Sequence, residues 1–510
     1  MGRAGAERAS SRESRAADVI IVGGGLAGLS CAVALADSGR KVIVLERDAC
    51  LGGRAKSWTD DKTGDTVDIG PHVLHSEYRN MLALLDRLGT RGLVTWQPRK
   101  VLTIATAPRP FALTHWPLLP PPLSLMPSLL SAPGLSIADH VSAMRVIWRG
   151  MQFGEEDVPE LDRMSALDFL RSQGMTQRMI DWWWAFATMV VTNVPIERCS
   201  AAAIMRIHAQ LSGHRQLHFG FAAVGLSELY APQATRIIEA AGGEVRTGCA
   251  VRGLVGDGRA EGVALADGSE LRAPQIVAAV PPLDLAPLLP EGWRRCAPFD
   301  ALRSCEPSPY ISCYLWFDRK VMRERFMSHL WSPQRLNYDF YELTRIRQGW
   351  QGRPSVIASN IIYSHRAHGM TDDEVIRATV KELAEFAPAA AHARLLHARV
   401  HRIPMAIPCP TPGTEAARPQ ARTPVPGLVL AGDWLRTQLP CCMEGAVRAG
   451  WLAAEQVLAD AGTPRTLALP PRPYDGLAGL VRRVTQWRRQ DRRGSRLRDG
   501  EAAGEIGRQE

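Results

Sequence analysis

Residues 18–46 decide the fold: Asp18-Val19-Ile20-Ile21-Val22, then Gly23-Gly24-Gly25-Leu26-Ala27-Gly28, an apolar helical pattern through Leu29, Ala32, Val33 and Leu35, a break at Gly39, and Lys41-Val42-Ile43-Val44-Leu45-Glu46. This is strand, G-x-G-x-x-G turn, helix and second strand, the pattern of a dinucleotide-binding unit. Gly23 permits the tight turn, Gly25 lets backbone approach a pyrophosphate, and Gly28 lets the helix pack close to the strand. The pyrophosphate is then expected on the helix N-terminus, at Leu26 and Ala27. Glu46 ends the second strand where a carboxylate accepts both ribose hydroxyls. A carboxylate there disfavours a 2′-phosphate, so FAD or NAD is expected rather than NADP.

The chain has 510 residues, more than a single core usually serves, so two or three domains are expected. Its 61 basic and 52 acidic side chains leave a formal charge of +9. Much of the surplus lies at the ends, with Arg3, Arg8, Arg12 and Arg15 before the first strand and a run from Arg482 to Arg498 after the last motif. The middle is closer to balance, which argues for basic arms and against a nucleic-acid partner. The ten cysteines include no C-x-x-C pair, and no apolar segment precedes Asp18. A reduced, cytoplasmic enzyme without a disulfide framework or zinc site is therefore expected. No apolar run is long enough for an ordinary membrane-spanning helix.

Three further blocks extend the nucleotide theme. Gly52-Gly53-Arg54 follows the second strand, and Asp68-Ile69-Gly70-Pro71-His72 follows a polar hairpin around Gly64. Short strands over Gly242–Val251 and Ile276–Val280 return the chain to the nucleotide sheet. Finally, Gly427-Leu428-Val429-Leu430-Ala431-Gly432-Asp433-Trp434 precedes Met443-Glu444-Gly445-Ala446 and an Ala-rich helix. Gly432-Asp433 beside that helix start supplies an acceptor for ribityl or ribose hydroxyls, and the first amides of the helix face flavin or phosphate oxygens.

Together these blocks resemble the FAD-dependent amine oxidase and carotenoid desaturase superfamily. The resemblance implies that Gly52-Gly53-Arg54 lies along the diphosphate and ribityl region, with Arg54 as diphosphate partner. It also implies that Gly70, Pro71 and His72 approach the isoalloxazine, that Val251 meets the adenine, and that Met443, Glu444 and Ala446 face the cofactor. The expected fold is α/β. A discontinuous Rossmann-type FAD-binding domain comes from 18–100, 240–290 and 425–462, and an inserted mixed α+β substrate domain from 101–239 and 291–424. Residues 1–17 are expected to be a flexible arm and 463–510 a mobile basic tail.

Tyr314-Leu315-Trp316-Phe317-Asp318-Arg319-Lys320 is similar to a strand of plant and cyanobacterial phytoene desaturases, and squalene-associated desaturases, including hydroxysqualene dehydroxylases, share the frame. The resemblance implies FAD-dependent dehydrogenation of a linear polyprenoid by hydride transfer to flavin N5, with quinone or oxygen as electron acceptor. The alternatives are reductive removal of an allylic hydroxyl from a squalene derivative, amine oxidation, and a non-enzymatic flavin-containing redox sensor. Trp182, Trp183, Trp184, Phe186, Met189, Phe219 and Phe221 fit a long hydrocarbon, and no carboxylate partner for a protonated amine stands out. His72 and Arg319 are the candidates for positioning or proton handling.

Cys441 and Cys442 read as packing residues, so FAD is expected to be noncovalent. His72 and His75 lack further ligands to complete a metal site, and Gly225-Leu226-Ser227-Glu228 falls short of a nucleophile elbow. A peripheral membrane contact is expected from two segments. One is the proline-rich apolar run Trp116–Pro127. The other is the pattern Leu477, Leu480, Val481, Val484 and Trp487 beside Arg482, Arg483, Arg488 and Arg489.

Overall fold

β1 (Val19–Val22) and β2 (Val42–Leu45) are buried along their whole length, as strands covered on both faces must be. They are neighbours in a five-stranded parallel sheet ordered Glu244–Arg246, β2, β1, Gln275–Ala278, Leu428–Leu430. Three separate stretches of chain therefore build one sheet. The computed structural model describes residues 17–97, 100–106, 109–116, 118–214 and 218–489.

Helix α1 (Leu26–Ala36) is buried all round, because the helix Met443–Asp460 lies across its other side. The approach is close: a Cβ on Gly450 would stand 2.2 Å from Ser30 Oγ and 2.3 Å from the Ala27 carbonyl oxygen. A larger residue at 450 would push the helices apart and lift α1 from the sheet.

A second sheet of seven strands runs in the order Leu395–Pro408, Pro307–Phe317, Val356–Ile362, Asp339–Glu342, Phe326–His329, Lys100–Ala105, Phe111–Thr114. Its pairs are antiparallel except Phe326–His329 with Lys100–Ala105. The two-residue side-chain period sorts its faces. Ile311, Cys313, Leu315 and Phe317 pack into a core with the helix Asp372–Ala384, whereas Tyr310, Tyr314 and Trp316 look the other way. Between the sheets, Leu74–His75 and Val94–Gln97 pair with Phe219–Ala222.

The C-terminal segment departs from expectation. Rather than a mobile arm from 463, residues up to 489 pack on the body and end in a helix over 476–489. Ala478 is fully buried, the Asp475 amide donates to Gly213 O at 2.8 Å, Tyr474 meets His214 edge-on, and Arg489 pairs with Glu156 and Asp157. Of the arm expected at 1–17 only Ala17 is among the described residues, and it is buried; the rest of that arm and the basic residues beyond 489 lie outside the described residues.

Candidate active site

β1 ends at Gly23 with φ +109°, and a Cβ there would stand 2.6 Å from the Ala279 carbonyl oxygen. One turn on, a Cβ at Gly28 would stand 2.0 Å from Gly23 O. Both positions are closed to any larger residue. Gly25, the N-cap of α1, carries no side-chain cap, and its would-be Cβ meets nothing nearer than Gly53 Cα at 3.9 Å. The N-terminal amides of α1 thus open onto space rather than side chains, which is the requirement for cradling an anion. The second glycine turn closes onto the first, with the Gly52 amide donating to Gly24 O at 2.9 Å. At the end of β2, Glu46 accepts from the Gly24 amide at 2.8 Å and the Asp48 amide at 2.9 Å, which fixes its carboxylate.

The fourth block arrives from the opposite side. Gly432, with φ +147°, turns the chain after Leu428–Leu430, and Asp433 accepts from Arg54 Nη2 at 2.6 Å. Arg54 also donates to Ala406 O at 2.9 Å. Burial opposes the Arg54 charge, but Asp433 more than restores it and raises the pKa. The expected diphosphate partner is thereby committed to holding Asp433 and the strand Leu395–Pro408 in place.

All these groups face one cavity of about 1340 Å³, larger than the roughly 300–1,000 Å³ usual for one ligand. Gly23, Gly25, Leu26, Ala27, Glu46, Arg54, Gly70, Pro71, His72, Val251, Gly432, Asp433, Met443, Glu444 and Ala446 all line it. Gly28 stands behind the lining, in its packing role. The cavity continues between Leu102, Phe186, Val190, Leu211, Phe219 and Phe326. An anion cradle, a fixed carboxylate for ribose, and an apolar chamber in one space fit a dinucleotide together with an apolar substrate.

Several expectations are corrected here. Arg319 does not line the cavity; it is 58% exposed and pairs with its neighbour Asp318 at 2.9 Å. A surface arginine already paired cannot serve proton handling in the chamber. Of the seven large apolar residues expected near substrate, Phe186 and Phe219 line the cavity, whereas Trp182, Trp184, Met189 and Phe221 pack in core clusters and Trp183 packs against them. Both carboxylate oxygens of Glu444 are used at the start of the helix Arg79–Leu88, accepting from the Asn80 amide at 3.0 Å and the Met81 amide at 2.7 Å. Glu444 thus caps that helix.

His72 lines the cavity. Its Nδ1–H donates to Gly70 O at 2.8 Å, which leaves Nε2 as an acceptor. Burial lowers its pKa, so the ring is neutral at neutral pH. His72 lies in a loop and His75 in a short strand, not on one helix. Among the described residues, no group of three or more His, Cys, Asp and Glu is arranged to hold a metal. Burial pushes the Cys442 thiol up to about 12, and its Sγ accepts from the Gly445 amide at 3.4 Å as a helix cap. A thiol held protonated in this way is a poor nucleophile.

Sequence reasoning missed Tyr310, Ser328, Asp339, Tyr341 and Asn360, which also line the chamber. Their strands alternate clearly enough to be recognised, but nothing in the sequence shows which face looks into a cavity.

Residues 26–458 match the flavin containing amine oxidoreductase family. The 15-cis-phytoene desaturase of Solanum lycopersicum is 28% identical over 466 residues, covering 89% of this chain and 79% of that protein. The 15-cis-phytoene desaturase of Synechococcus elongatus is 26% identical over 458 residues, covering 86% of this chain and 96% of that protein. Among solved structures, a putrescine oxidase bound to putrescine superposes with a TM-score of 0.65 at 17% identity, over 87% of this chain and 99% of that one, a likeness of fold. The chain belongs to the flavin containing amine oxidoreductase family and is an FAD-dependent oxidoreductase.

Proposed function

We propose that this enzyme dehydrogenates a linear polyprenoid of the phytoene type. The observation that carries the reading is a single cavity that joins the dinucleotide cradle to a long apolar chamber. The curated relatives named as phytoene desaturases support it. The chemistry supplied by bound FAD is acceptance of a hydride. The residues of this chain bind, orient and exclude water: α1 and Glu46 hold the nucleotide, Asp433 is held by Arg54, and the aromatic walls keep the reacting carbon dry. Neutral His72 presents an acceptor nitrogen for positioning. Electrons leave to a quinone or oxygen. The division into an FAD-binding part, 18–100, 240–290 and 425–462, and a substrate part, 101–239 and 291–424, is part of this reading.

The enzyme works at a membrane surface on its cytoplasmic side. Among the described residues no helix is long and apolar enough to cross a membrane. What supports a peripheral contact is the meeting of two segments: a Cβ on Gly476 would lie 2.9 Å from Pro120. The terminal helix therefore begins against the proline-rich run. Trp116, Leu118 and Leu123 are exposed there, as are Leu477, Leu480, Val484 and Trp487 on the helix. Arg482 and Arg483 line the same cavity as the cofactor cradle, so the helix that carries the apolar patch also forms part of the cavity wall. A lipid leaving a bilayer would meet that wall directly. Incubation with phytoene and a quinone tests the reaction, and the expected product has a longer conjugated polyene. Failure to convert phytoene or any related linear polyprenoid with fully reducible, FAD-loaded enzyme would contradict it.

A further inference from the structure

Three strands of the seven-stranded sheet place Ser328, Asp339 and Asn360 in one row. Ser328 is the direct cross-strand partner of Asp339, and Asp339 of Asn360. Opposed residues of adjacent strands share a face, and this face lines the chamber. The three are 0%, 4% and 3% exposed. Ser328 Oγ, Asp339 Oδ1 and Asn360 Oδ1 are buried without a close hydrogen-bond partner among the described residues, while the Asn360 side chain and backbone lie near enough to the Asp339 carboxyl to favour its charged form. Tyr341 O–H donates to the other Asp339 oxygen at 3.0 Å, which orients the carboxyl and leaves Oδ1 for a ligand. The row begins beside the flavin-facing turn, since the next residue across the sheet, Ser312, pairs with Asn360 and donates to Ile69 O at 2.6 Å.

A hydrocarbon laid over this row leaves every one of those atoms desolvated and unpaired, and buried polar groups tolerate that poorly. We propose that Ser328, Asp339 and Asn360 form a hydroxyl-binding subsite, so that the polyprenoid this enzyme takes carries an alcohol group. The alcohol donates to Asp339 Oδ1 or Asn360 Oδ1 and accepts from the Ser328 hydroxyl. A neutral alcohol suits the site better than an ammonium: burial holds the Asp339 carboxyl up at about 7, so a full negative charge is not fixed there. An alcohol pairs with either form of the carboxyl, accepting from the acid or donating to the carboxylate. The inference rests on the polyprenoid reading of the chamber and narrows its substrate class.

The test is a binding titration of the FAD-loaded protein, followed by perturbation of the flavin spectrum. The probes are squalene against hydroxysqualene, and phytoene against a singly hydroxylated phytoene. Wild type is expected to bind the hydroxylated member of at least one pair about tenfold or more tightly. Asp339→Leu and, separately, Ser328→Ala should erase that preference with FAD content unchanged. Equal affinity for both members in wild type overturns the subsite yet leaves the polyprenoid reading intact, and so does a preference that survives both substitutions. If no lipid binds while an amine does, the subsite and the polyprenoid reading fall together. Wild type alone decides the first comparison, so a poorly folding variant does not shelter the proposal.

Discussion

Glu46 shows how much a single side chain can be asked to do. Its carboxylate is pinned by the Gly24 and Asp48 amides and faces the nucleotide cavity. Glu46→Ala should weaken FAD retention by about 1–3 kcal/mol, through loss of charge-assisted hydrogen bonds. Flavin released on dilution measures this, and undiminished retention would remove Glu46 from the cradle. Asp339 makes the opposite case, of a cost carried for a site. Its pKa rises by burial from 3.8 to about 7. Between those values the native state binds more protons than the unfolded state, so stability falls as pH rises through this window and levels off above it. Asp339→Asn should remove the slope, gaining on the order of 2–4 kcal/mol over wild type above about pH 7 relative to about pH 4. Urea unfolding at the two pH values reads this directly, and parallel profiles would contradict it. Glu46 was legible because its strand, turn and helix are contiguous in sequence. Asp339 was not, because its meaning depends on strands that meet only in the folded sheet.

At the scale of elements, the glycine turn, α1 and the flanking strands fall where the sequence pattern puts them, since each depends on local chemistry. Trp316-Phe317-Asp318-Arg319 was legible as a strand but misleading as a site. The strand ends at Phe317, Trp316 donates to Asp65 at 2.8 Å, and Arg319 is left at the surface. Glu444 likewise reads as a cofactor residue, yet it caps a helix distant in sequence. Glu444→Ala leaves the Asn80 and Met81 amides without their acceptor and should cost about 1–3 kcal/mol of stability. Burial raises the Glu444 pKa, so relief of a carboxylate that is itself costly to bury offsets part of that loss. A lowered Tm with FAD affinity kept is the expected pattern. Loss of FAD affinity at an unchanged Tm would instead return Glu444 to the cofactor.

At the scale of the molecule, the tail is where sequence and structure diverge most. The helix over 476–489 is docked by Arg489 and Tyr474, yet four of its apolar side chains remain exposed while Arg482 and Arg483 line the cavity. Its apolar spacing was visible in the sequence, but its docking site near Phe153 and His214 was not, because those contacts join residues far apart in the chain, Arg482 with Phe153 and Tyr474 with His214. A doubly substituted Leu480→Glu, Trp487→Glu protein should lose most of its flotation with anionic liposomes and keep its FAD, since two apolar anchors are exchanged for charges that a negative surface repels. Equal flotation would move the membrane contact elsewhere. The central claim, that one cavity delivers a polyprenoid to the flavin, is tested most directly by anaerobic mixing of the FAD-loaded enzyme with phytoene and with its hydroxylated counterpart. The account predicts that at least one of the two bleaches the oxidised-flavin absorbance, with desaturated product formed in step. An unchanged flavin spectrum with both lipids, alongside rapid bleaching by a small primary or secondary amine, would contradict it.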